Sequence, residues 1–188
     1  RQSQIIETAA KLIKQKGFEN TSMRDLAAEM KIEASSLYNH IQNKDEILKT
    51  ICFEMANEFI TAMAEVNDIY FDAEQKLYLA VKNHIQLITQ ETEKAYVFVN
   101  EWRRLAPADL TEFIALRDQY EKGFAVIMKN GEDEGLFNEV DKKFAVLTIL
   151  SSLNWVVEWY KPNGSMTSEE IAEKLTNFIL SGLKKQKL

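Results

Sequence analysis

Cysteine, proline, glycine and histidine are all scarce in this chain, and each scarcity excludes something. The single cysteine, Cys52, cannot close an internal disulfide, so no cross-linked secreted scaffold is expected and a reducing cytoplasm suits the chain. Cys52 falls among apolar residues with no cationic cluster beside it, which is the setting of a buried structural thiol. Two prolines and six glycines are few for a chain of short strands and hairpins, and no Val/Thr-rich alternating run stands between turn signals. No apolar run reaches the roughly 18 residues of a membrane span, and neither a signal peptide nor a membrane partner is expected. His84 has no second His or Cys at ligand spacing, which argues against a metal site. A nucleophile motif, a Gly-rich phosphate loop and a paired-His motif are also missing. Neither an enzyme nor a cofactor-bound protein is expected.

What is present is helical. Hydrophobic residues make up 46% of the chain and charged residues 28%, with Leu, Ala, Glu, Lys and Ile abundant. At 188 residues the chain is long enough for one large or two small domains, and the composition is that of an all-α protein.

The stretch from Thr21 to Leu48 organises the rest. Met23, Leu26, Ala27 and Met30 repeat at i, i+3, i+4, i+7 and mark one face of a helix. Thr21 or Ser22 can cap its start, and Asp25 follows Ser22 by three residues as in a capping box. Lys31-Ile32-Glu33 is too short for a loop, so a sharp turn is expected there. A second helix is predicted from Ala34 to His40, with Leu37 and Ile41 inward. Asn43 and Glu46 form a second capping-box pattern before the next helix. Two short helices across such a turn make a helix-turn-helix, whose second helix enters the DNA major groove. That helix carries Ser35, Ser36, Tyr38, Asn39 and His40 on its outer face. Ser and Asn can meet base edges, and Tyr and His can reach phosphates; a plain solvated face is the alternative.

Residues 5 to 51 resemble the DNA-binding domain of the tetracycline-repressor family. The marks are Ala9-Ala10 and Leu12, Gly17-Phe18, Thr21-Ser22, Leu26-Ala27, and Leu37-Tyr38-Asn39-His40-Ile41 followed by Lys44 and Leu48. The resemblance implies an N-terminal three-helix domain over 1–48, with helix four from Lys44 linking it to an effector-binding and dimerisation domain over 49–188. It also implies phosphate contacts from Tyr38 and Lys44. The full DNA-contacting set is then Thr21, Ser22 and Arg24 at the first helix, Ala34, Ser35, Ser36, Tyr38, Asn39 and His40 at the second, and Lys44. Two positions depart from the family pattern: Lys31 stands where the turn usually has Gly, and Glu33 where Ser is common. Lys31 must adopt a left-handed conformation or bend the turn differently.

The net charge of −6 is unevenly spread. The first fifty residues hold eight Lys/Arg and seven Asp/Glu, a net of +1; of the chain's 23 and 29, the remaining 15 and 22 leave −7. A nearly neutral head cannot hold DNA by bulk charge and needs hydroxyls, backbone amides and two copies per site.

Further helices are expected at Gln4–Gln15, ended by Gly17, and from Lys44 to about Asn67. Others follow near Glu74–Glu91, Asp109–Glu134 and Phe144–Tyr160, and after a cap at Thr167 or Ser168. Pro107 is expected to break the stretch holding Tyr96 to Trp102, and Gly131 and Gly135 to mark a fraying helix end. Phe144–Tyr160 is apolar nearly all round, as at a domain centre or subunit interface.

In the family, the last two helices dimerise, which points to Leu150, Leu153, Val157, Leu175, Phe178 and Ile179 as a homodimer interface. Val97–Leu105 (VFVNEWRRL), Glu134–Phe137 (EGLF) and Leu153–Tyr160 (LNWVVEWY) resemble a subgroup that senses acyl-CoA thioesters of fatty-acid or sterol breakdown. An apolar effector pocket is expected from Phe98, Trp102, Phe113, Tyr120, Phe124 and Trp155, which are otherwise plain core. Its polar minority would come from Asn100, Arg103, Arg104, Gln119 and Asn154. His84 reads as a hydrogen-bonded core or surface residue. The expected function is a repressor that leaves a palindromic operator when a small hydrophobic effector binds. The alternative is an effector-independent, DNA-bound structural or division-regulating protein with the same head.

Overall fold

The computed structural model describes residues 1–185. Among the described residues every regular element is helical, apart from one antiparallel bridge between Phe137 and Lys184. The chain forms two compact units. The first takes Arg1–Ala56 and Glu91–Ile114, and the second takes residues 57–90 and 115 onward.

The first unit begins with α1 (Gln2–Lys16), which buries Ile5, Ile6, Ala9, Ala10, Leu12 and Ile13. Gly17 ends it at φ 81, with its N–H on the Ile13 carbonyl at 2.7 Å. Helix α2 (Met23–Glu29) opens on the expected capping box: the Asp25 N–H donates to Ser22 Oγ at 3.1 Å, and the Ser22 N–H donates to Asp25 at 2.9 Å. Helix α3 (Ala34–Tyr38) is shorter than expected. His40 N–H turns back to the Leu37 carbonyl at 3.0 Å, so Asn39 and His40 form a turn instead of a second helical turn. Helix α4 (Lys44–Asp68) starts where Asn43 accepts from Glu46 N–H at 2.8 Å. The reciprocal bond goes one residue earlier than in a standard box, from Gln42 N–H to Glu46 at 2.7 Å.

Helix α6 (Thr92–Asn100) packs on α1 in this same unit. Polar links accompany the packing. Lys14 faces Glu93 at 3.9 Å, the Phe18 N–H donates to Glu101 at 3.3 Å, and Lys49 meets Asp109 at 2.7 Å. Arg104 bridges Glu19 and Glu101. Exposed ion pairs contribute about 0–1 kcal/mol each, whereas a buried Leu or Ile contributes about 1.5–3. The apolar seam with Ala95 and Val97 buried therefore contributes more to holding the unit than the ion pairs do. Pro107 does not break a helix; as the first residue of α7 (Pro107–Asp133) it has a ready-made φ and no N–H to satisfy.

The second unit is built on α5 (Ala73–Gln90), which packs against α8 (Lys142–Asn154), α9 (Val156–Trp159) and α10 (Ser168–Leu183). A Thr167–Glu170 capping box starts α10. The far part of α4 meets α7 at Gly123, where an added Cβ would lie 2.2 Å from Met63. Gly131 is not a fraying end: it is buried, and the ring of fully buried Phe137 fills the space a side chain would take, 2.1 Å from where a Cβ would stand. The turn itself is made by Gly135 at φ 73. The end of α10 is pinned by Asn138 N–H on the Leu183 carbonyl at 2.8 Å and Lys185 N–H on the Leu136 carbonyl at 3.1 Å.

The apolar run Phe144–Tyr160 is not one helix. It is interrupted at Trp155, and only Val146, Ile149, Leu150, Leu153, Val156 and Val157 are buried. Phe144, Leu147 and Trp155 stay exposed. Thr148 and Ser152 hydroxyls bond the carbonyls four residues back, a habit that bends helices.

Candidate nucleic-acid interface

The first unit presents a polar surface built on α2 and α3, which pack together through Leu26, Ala27 and Leu37. Burying Leu37 and Ile41 forces the opposite side of α3 outward. Ser35, Tyr38, Asn39 and His40 are exposed, Ser36 and Ala34 half-buried, and Ser22 and Arg24 exposed at the start of α2. Tyr38, at 53% exposure, has a hydroxyl with no partner among the described residues.

Two members of the expected set have duties inside the unit. Thr21 is buried at 4% exposure, and its hydroxyl donates to the Gly17 carbonyl at 2.9 Å. Lys44 Nζ donates to the Phe18 carbonyl at 2.6 Å and sits 4.2 Å from the Phe18 ring centroid. Lys44 thus ties the start of α4 to the α1–α2 connection, and its half-buried ammonium keeps protons for a further acceptor. Asp25 is held below its ordinary carboxylate pKa, first by the Ser22 hydroxyl and backbone N–H, then by Lys16.

The expected pocket residues fall into two clusters, one in each unit. In the first unit, Phe113 is fully buried and has Trp102 at 5.8 Å, Phe98 at 5.7 Å and Phe53 at 6.0 Å between ring centroids. The exposed Arg103 guanidinium stacks 4.3 Å over Trp102. Arg104 is already engaged by Glu19 and Glu101. Asn100 is exposed. Phe53 was missing from the sequence-based set because its partners lie some sixty residues away, and no periodicity reports such a contact.

In the second unit, Tyr120 packs 5.3 Å from Phe59 and 5.5 Å from Phe124, and His84 lies 4.7 Å from Phe59. His84 Nδ1 meets the Tyr120 hydroxyl at 3.0 Å. Burial pulls the His84 pKa down to about 3. Asn154 opposes that shift, although neither its Oδ1 nor His84 Nε2 makes a bond of normal geometry. Burial likewise pushes the Tyr120 phenol up, so it stays protonated. Trp155 and Gln119 are exposed. Cys52 is buried with its thiol pushed up to about 12, which leaves it unreactive.

The second unit also carries an open apolar face along α8 and α10. Phe178 is 78% exposed and Phe144 71%, flanking a groove of about 510 Å³ lined with Ala145, Ile149 and Ile179. Of the expected interface residues, Phe178 is exposed on this face, Ile179 lines its groove, and Leu175 is half-buried. Leu150, Leu153 and Val157 point into the chain's own core. Among the described residues no group of three or more His, Cys, Asp or Glu could hold a metal, and no helix is long and apolar enough to cross a membrane.

Both ends of the chain match known protein families. Residues 5–51 match the family model described as bacterial regulatory proteins, tetR family, and residues 71–183 match that of the tetracyclin repressor-like C-terminal domain. The chain is 32% identical to a TetR family transcriptional regulator, PfmR from Thermus thermophilus, over 96% of this chain and 99% of that one, with a TM-score of 0.87. It is 28% identical to AibR, solved in complex with isovaleryl coenzyme A and operator DNA, over 95% and 97% of the two chains, with a TM-score of 0.83. The HTH-type transcriptional repressor KstR2 of Mycobacterium tuberculosis is 23% identical over 99% of this chain and 94% of its own. Its solved structure shares the fold at a TM-score of 0.94.

Proposed function

This chain belongs to the tetracycline-repressor family of helix-turn-helix transcriptional regulators, and on that premise we propose that it is a homodimeric repressor released from a palindromic operator by an acyl-CoA. Membership makes it a DNA-binding transcription factor rather than an enzyme. The observation that carries the DNA reading is the outward face of α3, where exposed hydrogen-bonding side chains stand back to back with buried Leu37. Ser36 and Asn39 are suited to base edges, and Tyr38 and Lys44 to phosphates.

Removing the Tyr38 hydroxyl (Tyr38→Phe) should weaken binding equally on operator and scrambled DNA. Asn39→Ala should instead change which bases are preferred, by ~1–3 kcal/mol for a lost base contact. Gel-shift titration on both duplexes separates the two, and an equal loss on both for Asn39→Ala removes it from the base-reading set. Lys44→Ala is a poorer probe, because it also removes one of the two donors to the Phe18 carbonyl, the other being the Thr21 N–H.

The effector reading rests on the cluster of Phe53, Phe98, Trp102 and Phe113 with Arg103 at its edge. Aromatic rings suit an acyl chain, and a guanidinium that stacks on a ring but has no carboxylate partner among the described residues suits a phosphate. The likeness to AibR, solved with an acyl-CoA, supports the same ligand class. A ligand releases DNA only by binding the non-DNA-holding state better; a tenfold loss of operator affinity needs about 1.4 kcal/mol of such preference. Fluorescence anisotropy on the operator should show a loss of about tenfold or more with acyl-CoA and none with free CoA. Arg103→Ala should blunt that response while leaving ligand-free binding intact. If cationic drugs shift the curve and acyl-CoAs do not, the ligand class is wrong and the repressor stands. If nothing shifts it, the effector-independent reading replaces this one.

A further inference from the structure

The turn between α2 and α3 contains Lys31 at φ 55, the left-handed non-glycine residue among the described residues. Its hydrogen bonds define the position. Ile32 N–H donates to the Ala27 carbonyl at 3.0 Å, and Lys31 N–H donates to the Ala28 carbonyl at 3.1 Å. This is the bond pair of a Schellman motif, and Lys31 occupies the residue just past the helix that is usually glycine. Glycine takes that conformation without the Cβ clash that lysine meets. A strained residue that glycine could replace calls for a reason in its side chain.

The side chain is in an unusual position for this unit. Lys31 is exposed, and its ammonium has no carboxylate partner among the described residues. Nearby lysines are paired: Lys11 with Glu29 at 3.8 Å, and Lys16 with Asp25 at 3.4 Å. Three residues after Lys31 the chain enters α3, the element that lies in the major groove when the head is docked. A long side chain on the connection leading into that element is within reach of the backbone bordering the groove. In a head with a net charge of only +1, one uncommitted cation is a large share of the available attraction.

We propose that Lys31 is a DNA phosphate contact, a sequence-independent anchor that this chain places on the helix-turn-helix turn itself. The inference rests on the DNA-binding reading above. It gives the strained lysine a function that glycine could not supply, and it adds a contact per subunit to those of Tyr38 and Lys44.

The test uses the full chain and a duplex that it selects from a random library, with affinity measured by anisotropy across a salt series. Lys31→Gly should melt no lower than the parent and bind more weakly, by the same factor on selected and scrambled DNA. Losing one phosphate contact per subunit makes the slope of log affinity against log salt shallower by about 1.8 for a dimer. Between about 50 and about 200 mM salt the deficit of the variant then shrinks about twelvefold. Lys31→Arg should bind like the parent. Lys31→Gln should follow Lys31→Gly in binding while keeping the strained turn, which separates charge from conformation. An unchanged salt slope in Lys31→Gly, or parental binding by Lys31→Gln, overturns the proposal and leaves the repressor reading intact. A loss on the selected duplex alone also overturns it. Failure of the parent chain to select any duplex overturns both readings together.

Discussion

Phe178→Glu should leave the chain folded and abolish its dimer, raising the dimer dissociation constant at least about a thousandfold. The ring is 78% exposed on the single chain, so its own core does not depend on it. In a two-fold interface the same residue is buried on both subunits. Burying one Phe contributes about 2 kcal/mol, so two contribute about 4, and each 1.4 kcal/mol is a factor of ten. Desolvating the two new carboxylates adds to this. Groove residues Ala145 and Gly182 beside the ring let a second helix approach, and an added Cβ at Gly182 would meet nothing within 4 Å of the chain itself. Two half-sites held by one dimer become two separate weak encounters, so operator affinity should collapse with dimerisation. Analytical ultracentrifugation reads the first effect, anisotropy the second, and circular dichroism checks the fold. A folded variant that still sediments as a dimer and still holds operator places the interface on another face. Leu153→Glu cannot serve here, because Leu153 is fully buried in its own chain and a charge there attacks the core.

That contrast shows what sequence periodicity can and cannot resolve. Met23, Leu26 and Ala27 identified α2, and Ser22 with Asp25 identified its start, because both signals are local and the structure uses them locally. Helix α4 ends at Asp68, one residue past the expected Asn67, for the same reason. Lys31 was flagged as a departure, and its φ of 55 follows from the helix end it occupies. The apolar run Phe144–Tyr160 could not be divided into inner and outer faces, since apolar residues cover every side of it. Leu150 and Leu153 face the chain's own core while Phe144 and Trp155 face out, and only packing against α5 decides which. The joining of α6 to α1 was equally invisible, because those helices are some eighty residues apart in sequence. Pro107 and Gly131 each have a second, opposite use, at a helix start and at a close approach to the Phe137 ring, and the residue type alone does not say which applies.

Acid should destabilise the protein well before its carboxylates titrate, through His84. This imidazole is 2% exposed, with Nδ1 bound to the Tyr120 hydroxyl and Phe59 packed on its ring. Burial holds its folded pKa at about 3, against an ordinary 6.5 in the unfolded chain. Between those values the unfolded state carries a proton that the folded state refuses, so stability rises with pH there and falls on acidification. The contribution is fully retained above about pH 6.5 and lost progressively toward pH 3. By pH 5 it amounts to about 2 kcal/mol, roughly a thirtyfold change in the folding equilibrium. Asp25, Glu132 and Glu170 also have lowered pKa values, but their ordinary values of 3.8 and 4.5 place their losses below that pH. The interval from pH 6.5 to 5 therefore isolates His84. Urea unfolding at fixed protein concentration should show the drop in the parent chain. His84→Gln keeps an acceptor for Tyr120 and cannot titrate, so its stability should be nearly flat over the same interval. A parent chain whose stability holds level down to pH 5 would mean that the imidazole gains a proton without unfolding, and that the second unit opens around it.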